Sequence, residues 1–78
     1  MADKDRMRKT IRDNLLRRAE AMDLTQTEIA RRMNVSRQMV GHYFAGANIP
    51  NVNNLIGLAK VLECTVDDLL EGCADDNT

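Results

Sequence analysis

Tyr43 and Phe44 are the only aromatic residues in this 78-residue chain, and tryptophan is missing altogether. A core without aromatic bulk must be built from Leu, Ile, Val, Met and Ala, and hydrophobic residues make up 44% of the chain. That composition suits a helical bundle and argues against a β-sandwich, which draws on aromatic and β-branched residues. Breakers are scarce too, with one proline and four glycines, which favours helices joined by short turns. Two cysteines, Cys64 and Cys73, are too few for a disulfide framework. They read as reduced thiols of a cytoplasmic protein, Cys64 packed as a small hydrophobe and Cys73 exposed in a polar tail. No apolar run approaches the roughly 20 residues of a membrane span. The N-terminal MADKDRMRK is charged and no apolar stretch follows it, so no signal peptide is expected. His42 is the single histidine and no Cys-x-x-Cys pair occurs. Neither a catalytic constellation nor a metal-ligand set is visible, so no enzyme, metal or cofactor is expected.

Charge of one sign is also missing, since the formal net charge is −1. Its distribution is uneven. Residues 1–46 carry ten Lys/Arg against six Asp/Glu, whereas residues 47–78 carry one Lys against six Asp/Glu. A basic half can attract phosphates whatever the total, while an acidic half suits a basic protein partner. A chain this short forms one domain over residues 1–78, and about 60% of its unfolded surface is buried on folding. No repeat, linker or second domain interrupts it.

Helical periodicity organises what is there. Met7, Ile11, Leu15, Ala19 and Met22 recur at spacings of four and three, predicting an amphipathic helix from about Asp5 to Met22, its apolar face widened by Leu16. Thr25 followed three residues on by Glu28 reads as a capping box that opens a second helix. Ser36 caps a third, Arg37 to Ala45, and Gly46 stops it. Asn51 caps a fourth, Val52 to about Glu63, with Val52, Leu55, Ile56, Ala59 and Leu62 on its buried face and Leu58 and Val61 broadening it. That makes it the most central helix. Thr65 caps a short fifth, Val66 to Glu71, with Asp67 and Asp68 well placed in its first turn. Gly72 ends it, and a frayed tail follows at about residues 73–78.

The stretch Gln26 to Ala45, QTEIARRMNVSRQMVGHYFA, carries the function. Ile29, Ala30 and Met33 give the second helix an apolar stripe, and Val40 and Tyr43 give one to the third. Val35 lies in the turn between them, where burial would pin the pair. Asn34 stands where the backbone needs a left-handed residue, a role Asn fills after Gly. Arg37, Gln38 and His42 face outward, and all three can donate to base edges in a DNA groove. Gly41 costs about 1 kcal/mol inside a helix, which points to a close approach by a neighbouring helix or by a DNA backbone. The pattern is a helix-turn-helix.

Leu24-Thr25-Gln26, Glu28-Ile29-Ala30, Val35-Ser36, Gly46, Ile49-Pro50, Asn54-Leu55, Leu58-Ala59, Leu62 and Asp68-Leu69-Leu70 occur in one order and spacing. In this the chain resembles the Xre/Cro family of phage-repressor-like DNA-binding domains, from about Ile11 to Gly72. Val40-Gly41 with Phe44 and Gly46 resembles the lambda-repressor branch most. Two departures stand out: Phe44 replaces a glutamate common in the family, and Asn34 and Glu63 replace glycines. The resemblance implies an all-α, five-helix, lambda-repressor-like bundle with the helix-turn-helix as helices 2 and 3. It implies that the third helix docks in the major groove, Arg37, Gln38 and His42 reading bases. Gln26 would bond a phosphate while bracing Arg37 or Gln38, and Ser36 would offer its hydroxyl to the backbone. Asn48, Asn51 and Asn54 match DNA-contacting positions, although three asparagines in seven residues equally suit a turn and a cap.

The function expected is a sequence-specific regulator of transcription, a repressor or Cro-like protein. It would act as a homodimer on a double-stranded operator with two half-sites about one helical turn (~34 Å) apart. Val66, Leu69 and Leu70 are candidates for the dimer contact, or else complete the protomer's core. An antitoxin or restriction-modification controller, its acidic C-terminal half binding a protein, is the alternative. A truncated repressor domain would look the same.

Overall fold

The computed structural model describes residues 2–73, with side chains from Lys4 onward. The expected tail thus lies outside the described residues except for Cys73. Five helices follow one another: α1 (Ala2–Ala21), α2 (Gln26–Met33), α3 (Arg37–Phe44), α4 (Val52–Val61) and α5 (Val66–Leu69). No strand occurs among the described residues, and no helix there is long and apolar enough to cross a membrane.

The N-caps of α2 to α5 are the residues expected from the sequence. Thr25 Oγ1 accepts from the Glu28 amide at 3.1 Å, Ser36 Oγ from Met39 at 3.0 Å, Asn51 Oδ1 from Asn54 at 2.8 Å and Thr65 Oγ1 from Asp68 at 3.0 Å. Each satisfies one amide that the helix itself leaves unpaired. The reciprocal capping box is not at Thr25, because the Glu28 carboxylate instead accepts from Arg31 Nη2 at 3.0 Å, with Arg32 at 3.8 Å. It closes at Thr65, whose amide donates to Asp68 Oδ2 at 3.0 Å. Hydrogen bonds from Thr65 hold the Asp68 carboxyl below the usual carboxylate range, assisted by the Arg18 guanidinium. This cap therefore stays intact above that range and is lost as pH falls through the lowered value.

Helix ends repeat one device. After α1, α2, α3 and α4 the chain passes through a left-handed residue: Asp23 (φ 58°), Asn34 (φ 60°), Gly46 (φ 75°) and Glu63 (φ 57°). In each case the next amide reaches five residues back, Leu24 to the Ala19 carbonyl at 3.0 Å, Val35 to Ala30 at 3.0 Å, Ala47 to His42 at 2.9 Å and Cys64 to Ala59 at 2.9 Å. This is the Schellman closure, normally completed by an apolar contact from the residue after the left-handed one. Leu24, Val35 and Cys64 make that contact, half-buried against the core. Only one of the four left-handed residues is glycine, and a glutamate there is strained by about 1–2 kcal/mol. Glu63→Gly is thus expected to stabilise the fold by about 0.5–1 kcal/mol net of the glycine's extra chain entropy. A urea midpoint that stays put or falls would contradict this.

The helices close into a ring. α1 packs on α3 and α5, α2 on α3 and α4, and α4 on α5. No helix is central, and each gives the interior a fully buried side chain: Ile11 and Leu15, Ile29, Val40, Leu58 and Leu69. The ring is closed on the α1–α5 side by Asn14, buried at 4% exposure, whose Nδ2 donates to the Leu69 and Glu71 carbonyls at 2.8 and 3.0 Å. Beside it Arg18 faces Asp68 at 3.8 Å.

Several apolar positions lie elsewhere than expected. α4 with its C-cap Leu62 buries Leu55, Leu58, Ala59 and Leu62, whereas Val52 and Ile56 stand 69% and 41% exposed. With seven apolar residues in eleven positions, the α4 pattern admits more than one face, and contact with α2 and α5 selects one of them. Leu16 is likewise 44% exposed rather than part of the packed face of α1. Leu69 is fully buried in its own protomer, so it completes the core and offers nothing to a dimer, while Val66 and Leu70 are half-buried. Cys73 is half-buried against the core rather than exposed, and burial pushes the Cys64 thiol up.

Candidate nucleic-acid interface

α2 and α3 are joined through Asn34, Val35 and Ser36. The left-handed Asn34 (φ 60°, ψ 43°) reverses the chain, half-buried Val35 anchors the turn, and Ser36 starts α3. α3 then buries Val40, Tyr43 and Phe44, and the i, i+3 and i+4 spacing turns Gln38 and His42 outward; Arg37, at the first position of α3, is exposed as they are. Phe44, in place of the family's glutamate, is a core residue here.

Between α3 and the loop that follows it lies an open groove of about 490 Å³. Its polar wall is made by Ser36, Gln38, His42, Asn48 and Asn51, and its apolar floor by Met39, Tyr43 and Ile49. Five of the eight residues expected at DNA therefore meet on one surface. Two of them are helix caps that keep a donor in reserve. The Ser36 hydroxyl oxygen takes the Met39 amide and the Asn51 carbonyl oxygen takes the Asn54 amide. The Ser36 O–H and the Asn51 NH₂ remain able to donate. Both stand at helix N-termini, where partial positive charge favours a phosphate.

The other three behave differently. Arg37 Nε donates to Thr27 Oγ1 at 3.1 Å, so the brace comes from Thr27 and not from its neighbour Gln26. Gln26 lies over Gly41, its Oε1 3.6 Å from where a Cβ would stand, and lines a second groove of about 480 Å³ with Leu16, Leu24 and Phe44. Asn54 turns inward: its Nδ2 donates to Tyr43 Oη at 2.7 Å and reaches Met39 Sδ at 3.4 Å. Neither Thr27 nor Met39 stood out in the sequence. A hydroxyl one residue from the expected glutamine was the available signal for Thr27, and a methionine outside the Val40/Tyr43 stripe was the signal for Met39.

The 3.6 Å gap at Gly41 is an ordinary van der Waals distance, so the neighbouring helix does not require glycine. Gly41→Ala is expected to raise stability by about 0.5–1 kcal/mol. If DNA affinity falls while the melting temperature rises, clearance for DNA is the reason for the glycine; unchanged affinity would remove that role.

The charge separation between the two halves is spatial only in part, because α1, which holds seven of the ten Lys/Arg of residues 1–46, packs on both α3 and α5. α5, with Asp67 and Asp68, touches only α1 and α4, on the opposite side of the ring from the α2–α3 pair. Among the described residues no cluster of three or more metal-ligating side chains forms.

Comparison with known proteins agrees with this geometry. A family model described as "Helix-turn-helix" matches residues 15–69, covering α2 to α5 and the second part of α1. The chain is similar to the cryptic phage CTXphi transcriptional repressor RstR of Vibrio cholerae serotype O1 (strain ATCC 39315 / El Tor Inaba N16961). The two are 29% identical over 66 residues, which is 85% of this chain and 59% of that repressor. This chain thus spans less than two thirds of its relative's length. No solved structure matches it.

Proposed function

Because the chain belongs to the helix-turn-helix family of the Xre, lambda-repressor-like kind, we propose that it is a sequence-specific double-stranded DNA-binding regulator of transcription, repressor or Cro-like. The observation that carries this reading is the surface where Gln38 and His42 share a groove with Ser36, Asn48 and Asn51, with Arg37 exposed beside it. α3 lies in the major groove, Arg37 reading guanine through its guanidinium fork and Gln38 adenine. His42 touches a base or phosphate one turn further on. Ser36, Asn48, Asn51 and Gln26 hold the backbone, and Asn54 braces α3 through Tyr43. Such a protein works in the cytoplasm, on its operator.

One α3 reads too few base pairs for useful selectivity, which motivates a homodimer on two half-sites about 34 Å apart. We place the self-contact on α4, where Val52 and Ile56 stand exposed one turn apart and Lys60 is the only charge between residues 52 and 61. Depletion of charge around apolar residues is the signature of an interface core. Sedimentation of the protein on its selected duplex should show two protomers per site, and Ile56→Glu should leave one. A single wild-type protomer at saturation would end the dimer proposal.

An antitoxin or controller whose acidic half binds a protein is the second reading. Asp68 is engaged by Thr65 and Arg18, which leaves Glu63, Asp67 and Glu71 as the exposed acids among the described residues of that half. Three separate carboxylates make a small footprint, and DNA remains the favoured partner.

A further inference from the structure

Met39 is 38% exposed on the helix proposed to read DNA, in the floor of a groove whose rim is otherwise made of polar donors. A long apolar side chain left open to water there lowers the affinity for phosphates and contributes no hydrogen bond to a base edge. It is also held in place. Methionine has three rotatable bonds and normally adapts to its surroundings. Here the Asn54 amide reaches across from α4 to Met39 Sδ at 3.4 Å and to Tyr43 Oη at 2.7 Å. One amide thus fixes the methionine and the tyrosine beside it before any ligand arrives, which reduces the ordering cost of a contact.

Within the major groove the apolar feature that a base presents is the C5-methyl group of a pyrimidine. We propose that Met39 is a specificity-determining residue that packs on a thymine C5-methyl group, with Asn54 as its positioning residue. The inference rests on the DNA-binding function proposed above. Gln38 lies beside Met39 on α3 and suits the N6/N7 edge of adenine, so the two side chains together select A·T pairs, one from each strand's edge.

The test uses the intact protein and the duplex it selects from a random library. Each thymine in turn is replaced by deoxyuridine, which removes one methyl group and keeps every hydrogen-bonding group. Wild-type protein should lose about fourfold in affinity at one thymine per half-site, the cost of re-exposing one methyl-sized group. Met39→Ala should bind the thymine and deoxyuridine duplexes alike at that position, and Met39→Leu should restore part of the difference. Asn54→Ala should shrink the difference without abolishing binding. The same methyl occurs on 5-methylcytosine, so each cytosine is also replaced by that base; a gain there with no thymine effect overturns the thymine assignment. A methionine that merely shielded the core would lower the melting temperature on truncation and leave the two duplexes equally bound by wild type, which also overturns it. The same holds if Met39→Ala keeps the full fourfold loss. Failure of the wild type to select any duplex is a different result, because it removes the DNA-binding function itself.

Discussion

Replacing Asn14 with alanine should lower the unfolding free energy by about 2–4 kcal/mol. The side chain is buried, and its Nδ2 satisfies two carbonyls, those of Leu69 and Glu71, at the end of the five-helix ring. Alanine would strand both, and each unsatisfied buried group costs about 1–3 kcal/mol. The upper end is moderated because Glu71 lies near the surface, where water can reach its carbonyl. Arg17, whose Nη2 donates to Asn14 Oδ1 at 2.8 Å, is itself exposed, so water can replace the acceptor it loses. A domain this small has roughly 4–12 kcal/mol in all, so a large fraction would go. In urea the midpoint should fall with an unchanged slope, since the surface exposed on unfolding is the same. The variant should still bind DNA when kept cold enough to stay folded, because α5 does not touch α2 or α3. A loss below about 0.5 kcal/mol, the range of an ordinary surface substitution, would show that Asn14 is not what closes the ring.

The second large effect concerns affinity rather than stability. Arg37→Ala with Gln38→Ala should weaken binding to the selected duplex by about 2–6 kcal/mol, since each base-reading side chain is worth about 1–3. Both residues are exposed, so the melting temperature should barely move. The salt dependence should also stay near its wild-type slope, because that slope counts neutralised phosphates rather than base contacts. Competition by non-specific DNA should therefore become more effective. Thr27→Ala, which removes only the brace on Arg37 Nε, should give a smaller loss in the same direction. A double variant that binds as tightly as wild type would move the reading surface away from the start of α3.

Much of this architecture can be read locally. Thr25, Ser36, Asn51 and Thr65 are short polar residues set just before apolar periodic runs, and a cap depends on nothing further than three residues away. Asn34 could be placed in the left-handed region for the same reason. Asp23 could not, because aspartate is an ordinary surface residue until the Schellman bond behind it is seen, and at Glu63 the one hint was that it stands where the family carries glycine. The role of Asn14 was invisible, since its partners lie 55 and 57 residues on. In α4 the pattern was ambiguous rather than hidden: apolar residues surround more of the helix than α2 and α5 can cover, and Val52 and Ile56 are left outside. At the interface, side-chain type identified Arg37, Gln38 and His42 as outward donors. The choice of Thr27 over Gln26 as the brace depends on the rotation of α3 about the turn. The engagement of Asn54 with Tyr43 and Met39 depends on α4 approaching α3, which no local signal encodes.

Selection from a random duplex library, run in parallel with wild type and the Arg37→Ala/Gln38→Ala variant, tests the central claim most directly. The wild type should enrich an inverted repeat whose half-site centres are about 10 base pairs apart, and the variant should lose that enrichment while retaining weak, salt-sensitive binding. A wild-type pool no different from the starting library, or the same motif enriched by both proteins, would contradict it.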